Sequence, residues 1–202
     1  PGLLHTWFVT FGLWRADQKS RMVMDRHHRH ACMASRRSDV RSDGGAATVT
    51  QGVTSFRADM KLHDDRLLDV VPEDWWQGHT VVMTTLFPSV IIQQQVNSLS
   101  TRHIQPVAPG VFDFVWTHFG FADDSPEMQR RRLRQANLFG PAGYVSADDG
   151  EVIEFAQQGF AANPGARTVS ELDGRDVKPT EHMVTETLIR GMFEYWRGVM
   201  GR

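Results

Sequence analysis

The chain has 202 residues, a formal net charge of −2 and a hydrophobic fraction of 41%, all ordinary for a soluble globular domain. The slight negative charge argues against nucleic acid as a partner, because duplex-binding proteins usually carry a basic surplus. No apolar run approaches the roughly 20 residues that a membrane-spanning helix needs, so no membrane partner is expected.

Cys32 is the only cysteine, which excludes an intrachain disulfide and fits a reducing cytoplasm. One cysteine also excludes an iron–sulfur cluster held within the chain, because even the least demanding type needs two cysteines. The sequence opens at Pro1, without an initiator methionine and inside a helical pattern of apolar residues. We therefore expect the chain to be part of a longer protein, truncated at its N-terminus.

The first two thirds of the chain predict mainly strands. Apolar and β-branched runs alternate with Pro, Gly, Asn and Ser turn signals, a pattern that is typical of an antiparallel meander. A helix is predicted at the first residues and another, short one over Asp59 to Val70. The predicted strands are Arg21–Asp25, His30–Arg36, Thr80–Phe87, Val90–Val96, Thr101–Val107 and Val111–Phe119.

The last third predicts helices. Ser125 followed by Pro126 is typical of an N-cap and the first helical position, and this helix should end near Gly140. A second helix follows the aspartate pair Asp148-Asp149. A final helix is predicted to bury one apolar stripe, formed by Leu188, Ile189, Met192, Phe193, Trp196 and Val199.

These elements predict a single α+β domain over residues 1–202. The simplest assembly is an antiparallel sheet that grips a long C-terminal helix, because no linker-like segment divides the chain.

Three places carry residues of chemical interest, and each has a plainer interpretation. His5 could be a metal ligand or a half-buried helix histidine. Asp148 and Asp149 could include a ligand, or could cap the following helix through its free N–H groups. The histidine-rich segment 27–30 could bind metal, but its flanking arginines and predicted hairpin position favour a solvated turn.

Several motifs in the right order give the chain a specific resemblance. It resembles the catalytic domain of Rieske-type ring-hydroxylating oxygenase large subunits, in particular the branch that acts on salicylate- and anthranilate-like acids. The motifs are Leu86-Phe87-Pro88-Ser89, Thr101-Arg102-His103-Ile104-Gln105-Pro106, Val115-Trp116-Thr117-His118-Phe119-Gly120, Arg132-Leu133-Arg134-Gln135-Ala136-Asn137-Leu138, Gly140-Pro141-Ala142-Gly143, Asp148-Asp149-Gly150-Glu151 and Ile189-Arg190-Gly191.

The resemblance implies a mononuclear Fe(II) site and a helix-grip (Bet v1/START-like) fold. In this family two histidines in a His-x4-His pattern and one distant aspartate hold the iron, which leaves open positions for dioxygen. His5 matches the second histidine, so the first would immediately precede Pro1, and Asp149 matches the aspartate. Asp148 matches an acid that need not bind metal.

The same resemblance implies an apolar pocket for an aromatic ring. Its lining residues would be Val9, Val81, Met83, Phe139 and Val145, which could equally be plain core. Arg15 and Arg102 could pair with a substrate carboxylate, or could form surface ion pairs.

The function implied is that of an oxygenase component that hydroxylates an aromatic ring with dioxygen. The substrate would be an aromatic carboxylate such as salicylate or anthranilate, or a polycyclic aromatic. A reductase or ferredoxin would supply electrons from NADH through a Rieske 2Fe–2S cluster in the N-terminal part outside this chain. Family members commonly form homotrimers of large subunits, often with small β subunits. The alternative is a metal-free helix-grip domain that binds a hydrophobic ligand.

Overall fold

The computed structural model describes residues 19–36, 64–167, 174–182 and 185–201. Within these ranges, six strands form one antiparallel sheet in which every strand pairs with its neighbours in sequence. The strands are β1 (Lys19–Met24), β2 (His30–Arg36), β3 (His79–Leu86), β4 (Val90–Gln95), β5 (Ser98–Ala108) and β6 (Val111–Phe119). The helices described are α1 (Pro126–Phe139), α2 (Tyr144–Ala162) and α3 (Thr187–Val199).

The histidine-rich segment forms the turn between β1 and β2, as predicted. His28 adopts a left-handed backbone conformation with φ of 56°. The Asp25 carboxylate closes the turn by accepting a hydrogen bond of 2.9 Å from the backbone N–H of His30. Arg26 and His27 are exposed, which is the environment that a solvated turn provides.

Strand register divides the sheet into two faces, because successive side chains alternate. We call one of them the inner face. It carries a row of side chains that lie opposite one another across β2 to β6: Met33, Met83, Gln93, Ser100 and His118. A parallel row on the same face contains Ile91, Arg102 and Trp116. The inner face therefore changes from apolar at β1–β3 to polar at β4–β6.

Two apolar clusters hold the helices to the sheet. On the inner face, Met22, Met33 and Val81 are buried, and Met83 and Leu188 pack against them. The other cluster lies at the end of α1, where Trp76, Val96, Leu138 and Phe139 are buried and Leu68, Val70 and Val145 pack against them.

The sequence predicts the packed side of helix α3 only in part, because, of the predicted stripe, Leu188 packs against the inner-face cluster and Met192 is half-buried. The residues that it buries are Thr187 and Gly191, while Ile189, Phe193, Trp196 and Val199 are exposed. A Cβ atom on Gly191 would lie 2.6 Å from Met24 Sδ, so the missing side chain is what permits this close approach. The packed side thus combines Leu188 of the predicted stripe with Thr187 and Gly191.

Three other elements differ from the prediction. Within the described part of the segment 59–70, residues Asp65–Leu68 form a short 3-10 helix. Strand β5 begins at Ser98, earlier than predicted. Helix α2 begins at Tyr144 after an N-cap at Gly143, so Asp148 and Asp149 lie inside the helix and do not cap it.

No helix in the described ranges is long and apolar enough to cross a bilayer.

Arg132 joins α1 to the turn between β4 and β5. Its guanidinium donates to Glu73 Oε2 at 2.5 Å, to Asp124 Oδ2 at 2.7 Å and to the backbone oxygen of Asn97 at 2.8 Å. Burial would raise the pKa of Glu73, but hydrogen bonds from Arg132, Asn97 and Trp75 outweigh it and the pKa is lowered. The hydrogen bond from Arg132 also lowers the pKa of Asp124. Both carboxylates are therefore held in the charged form.

Replacing Arg132 with methionine should destabilise the fold strongly. The change would leave Glu73 and Asp124 nearly buried without their counter-charge, at a cost of about 3–5 kcal/mol in the free energy of unfolding. Urea unfolding followed by circular dichroism measures this. The matched control is Arg130→Met on the exposed side of α1, expected within about 0.5 kcal/mol of wild type. Equal effects of the two substitutions would contradict the role of the network.

Candidate active site

Asp149 lies on α2, and a tight junction with α1 positions that helix. The backbone N–H of Gly143 donates to the oxygen of Gly140 at 2.8 Å, and Ser146 Oγ donates to the oxygen of Phe139 at 3.0 Å. A Cβ atom on Gly143 would lie 2.5 Å from the backbone oxygen of Leu138, so this junction requires glycine. Asp149 follows in the second turn of α2, exposed, with Asp148 half-buried beside it.

Arg102 places a positive charge on the inner face, within electrostatic reach of Asp149. Burial lowers the pKa of Arg102 to about 10, and the carboxylate of Asp149 opposes that shift. The guanidinium lies 3.8 Å from the centroid of the Trp116 ring, and its Nη2 donates to Gln95 Oε1 at 3.3 Å. A pKa of about 10 still leaves Arg102 charged at pH 7.

His118 connects this arginine to the helix junction. Its ring stacks with that of Trp116, with 6.0 Å between centroids. A Cβ atom on Gly140 would lie 2.9 Å from His118 Nε2, so the imidazole lies against the turn from which α2 starts. Burial, and then the charge of Arg102, lower the pKa of His118, which makes the neutral form dominant at pH 7.

The polar end of the inner face has buried side-chain atoms without hydrogen-bond partners among the described residues. These atoms are Gln93 Oε1 and Nε2, Arg102 Nε, Trp116 Nε1 and His118 Nδ1. Protein interiors pair nearly all of their buried polar atoms, so a concentration of unpaired ones needs an explanation. A bound polar ligand would supply such partners, and the register places all four side chains on adjacent positions of β4, β5 and β6.

The structure describes five of the seven residues that the sequence assigns to the site, while His5 and Val9 lie outside the described ranges, as does Arg15. Val81 and Met83 lie in the apolar cluster on the inner face. Phe139 and Val145 lie in the other cluster, at the end of α1.

Among the described residues, no group of three or more His, Cys, Asp or Glu side chains could hold a metal ion. The structure brings Asp149 and Arg102 into electrostatic contact. Gln93, Trp116 and His118 lie near Arg102 on the same face of the sheet, and no sequence pattern had indicated them as site residues. Alternation along β6 places Trp116 and His118 on one face, but the pairing register was needed to place them beside Arg102.

Comparison with known proteins settles the family. Residues 3–202 match the family of the ring hydroxylating alpha subunit, catalytic domain. The chain belongs to this family. It is 66% identical over its whole length to the large oxygenase component of salicylate 5-hydroxylase from Ralstonia sp, of which it covers 47%. It is 34% identical to the large subunit of anthranilate 1,2-dioxygenase from Burkholderia cepacia, over 98% of this chain and 47% of that protein.

The fold also has a solved counterpart. Naphthalene 1,2-dioxygenase from Rhodococcus sp., bound to indole, matches with a TM-score of 0.61 and 17% identity, over 98% of this chain and 49% of that one. At this identity the match concerns the fold alone, and it confirms the predicted α+β sheet with packed helices. The chain spans about half the length of the curated relatives that it matches.

Substituting Gly143 with alanine should disturb the α1–α2 junction. The added Cβ would meet backbone oxygens that cannot move away cheaply, at a cost of about 1–3 kcal/mol. The matched control is Gly159→Ala in the same helix. A Cβ there meets nothing within 4 Å, and alanine should stabilise α2 by up to about 1 kcal/mol. Melting temperatures of both variants test this, and a Gly143→Ala variant as stable as wild type would disprove the steric requirement.

Proposed function

We propose that this chain is the catalytic part of an oxygenase large subunit that hydroxylates an aromatic ring with dioxygen at a mononuclear Fe(II). Membership of the ring-hydroxylating family over residues 3–202 carries the proposal. The electrostatic interaction of Asp149 on α2 with Arg102, on the polar part of the inner face, supports it. The relatives named above are a salicylate 5-hydroxylase component and an anthranilate 1,2-dioxygenase subunit, which favours an aromatic carboxylate over a polycyclic hydrocarbon.

Iron would be held by His5, by Asp149 and by the first histidine of the His-x4-His pattern, which is expected immediately before Pro1. Imidazole and carboxylate are ligands that Fe(II) accepts, and three of them on one face leave positions open. Asp149 offers carboxylate oxygens, which are donors of the kind that this role needs. When bound, the iron supplies the oxidising chemistry with dioxygen.

The chain's own residues would hold and orient the ring. We assign this role to the predicted apolar positions Val9, Val81, Met83, Phe139 and Val145. Reaction needs the ring within a near-attack geometry, so small shifts of the lining change which carbon is presented. An apolar lining also excludes water from the reacting atoms.

The whole protein would require further components. A Rieske 2Fe–2S cluster in the remaining part of the subunit would pass electrons from a reductase or ferredoxin. We expect a homotrimer of large subunits, with or without small β subunits, in the reducing cytoplasm. The metal-free alternative, a helix-grip domain that binds a hydrophobic ligand, lacks support because the relatives named above are an oxygenase component and a dioxygenase subunit.

Changing Asp149 to alanine in the intact large subunit should abolish both iron retention and product formation, because it removes an iron ligand. Iron is measured by atomic emission after dialysis, and product by chromatography. The matched control is the neighbouring carboxylate: Asp148→Ala should keep most of the iron, since Asp148 is assigned no direct bond to the metal. The reverse order of effects would show that the ligand is Asp148.

Enlarging Val145 to phenylalanine should shift the ratio of product isomers while iron content stays unchanged. Val145 is half-buried beside Phe139 at the junction that leads to Asp149, so added volume there would displace the ring. Val152→Phe, exposed on the same helix, is the control and should leave the ratio unchanged. A lowered melting temperature with an unaltered ratio would mean that Val145 is core.

A further inference from the structure

The two edges of the sheet are built differently. At the first edge, β1 carries the charged side chains of Lys19 and Arg21. The backbones of Met22 and Thr180 exchange two hydrogen bonds there, at 2.8 and 3.1 Å, so a further segment covers the middle of β1. Charge and cover of this kind keep a sheet edge from pairing with another strand. The first edge is therefore closed.

Strand β6, at the other edge, has none of these protections. It is nine residues long and contains no lysine, glutamate or proline, and Asp113 is its only charged residue. Among the described residues, β5 is its only strand partner. Half of the backbone N–H and C=O groups of an antiparallel strand face each side, so half of those of β6 face away from β5. These groups are free to accept a further strand.

The side chains of β6 are apolar on both faces. On the inner face, the rings of Phe112, Phe114 and Trp116 contact one another in turn, with 6.4 and 5.4 Å between centroids. Phe112 is 45% exposed, and on the other face Val111 and Val115 are 55% and 42% exposed. Apolar side chains on both faces are typical of a strand that lies inside a covered sheet. The composition of β6 is thus that of an interior strand.

The exposed apolar surface continues from β6 onto α2. The turn before β6 lies against this helix, since a Cβ atom on Gly110 would lie 3.4 Å from Gln157 Nε2. Helix α2 buries none of its side chains, and its exposed apolar residues include Val152, Ile153, Phe155 and Phe160. Soluble proteins rarely leave an apolar surface of this extent in water. The element that covers it must therefore be larger than one strand.

We propose that β6 is an interior strand of the complete sheet, and that its free edge pairs with a strand from the part of the subunit that precedes Pro1. The chain covers 47% of each of the two curated relatives named above, so about half of a subunit lies outside it. The truncation expected at the N-terminus places that remainder before Pro1. It is long enough to supply both the strand and the cover of α2. A strand within the same subunit is also tethered, which raises its effective concentration at the edge.

The competing occupant of the edge is β6 of a second copy. Two identical edges that pair make an isologous contact, which closes a two-fold dimer. The homotrimer expected above has three-fold symmetry, and a three-fold ring contains no such contact. The symmetry therefore favours a strand of the same subunit.

The added strand would lie next to the candidate site. Adjacent strands are about 4.8 Å apart, so its inner-face side chains would lie beside Trp116 and His118. Part of the wall of the site would then come from residues outside this chain.

Amide hydrogen exchange of the intact large subunit tests the pairing without any substitution. Fragmentation in the mass spectrometer resolves neighbouring amides of β6. In an interior strand, the amides that face β5 and those that face away should both exchange at least about 100-fold more slowly than in an unstructured peptide. If every second amide of β6 exchanges as fast as exposed backbone, the strand is an edge and the proposal is overturned.

Photo-crosslinking of the intact subunit identifies the occupant. Val115→p-benzoylphenylalanine should join, on illumination, to residues of the same subunit that precede Pro1, identified by mass spectrometry of the peptides. The matched control is Arg21→p-benzoylphenylalanine on the closed edge. Glu181 lies 3.4 Å from the Arg21 guanidinium, so this variant should join to the segment 174–182.

Crosslinks from position 115 only to a second large subunit, to a small subunit or within residues 1–202 would overturn the assignment, as would no crosslink while the control reacts. If the variant at Val115 does not fold, Val111→p-benzoylphenylalanine gives the same readout from the start of β6. Neither exchange nor crosslinking depends on iron or on turnover. The outcome is therefore independent of the proposed oxygenase function.

Discussion

The ion-pair network around Arg132 is the constraint on which the arrangement of the site depends. Arg132 holds α1 against the β4–β5 turn through Glu73, Asp124 and the backbone of Asn97. Because α1 is fixed, its end at Gly140 is fixed, and the glycine junction then sets the start of α2. The network around Arg132 thus sets the position of Asp149 through α1 and the glycine junction.

Arg132 and Arg102 are guanidinium groups with different surroundings. Around Arg132 every strong donor meets a protein acceptor, so the network contributes to stability and not to recognition. Around Arg102 the protein supplies an aromatic face, one amide oxygen and the charge of Asp149. The charge of Asp149 offsets part of the cost of burying this guanidinium.

Much of the fold follows from local sequence patterns. The strand His30–Arg36, the strand Val111–Phe119 and the helix capped by Ser125 were predicted at or near their observed bounds, because turn residues and alternation mark them locally. The packed face of α3 was predicted only in part: Leu188 packs as expected, but hydropathy does not report the close approach at Gly191. Asp149 could be assigned by resemblance, but the partners of Arg102 could not, because they follow from strand register between residues far apart in sequence.

The strict neighbour-to-neighbour order of the sheet has a consequence for how the chain folds. The pairs β1–β2, β3–β4, β4–β5 and β5–β6 each join strands separated by a short turn, so they can form by local zipping. The pair β2–β3 alone joins strands separated by residues 37–78. Closing so long a loop costs little stability, since loop entropy grows only logarithmically, but it delays contact formation. The β3–β6 meander can therefore assemble first and serve as the template on which the β1–β2 hairpin docks, and that last step completes the apolar half of the inner face.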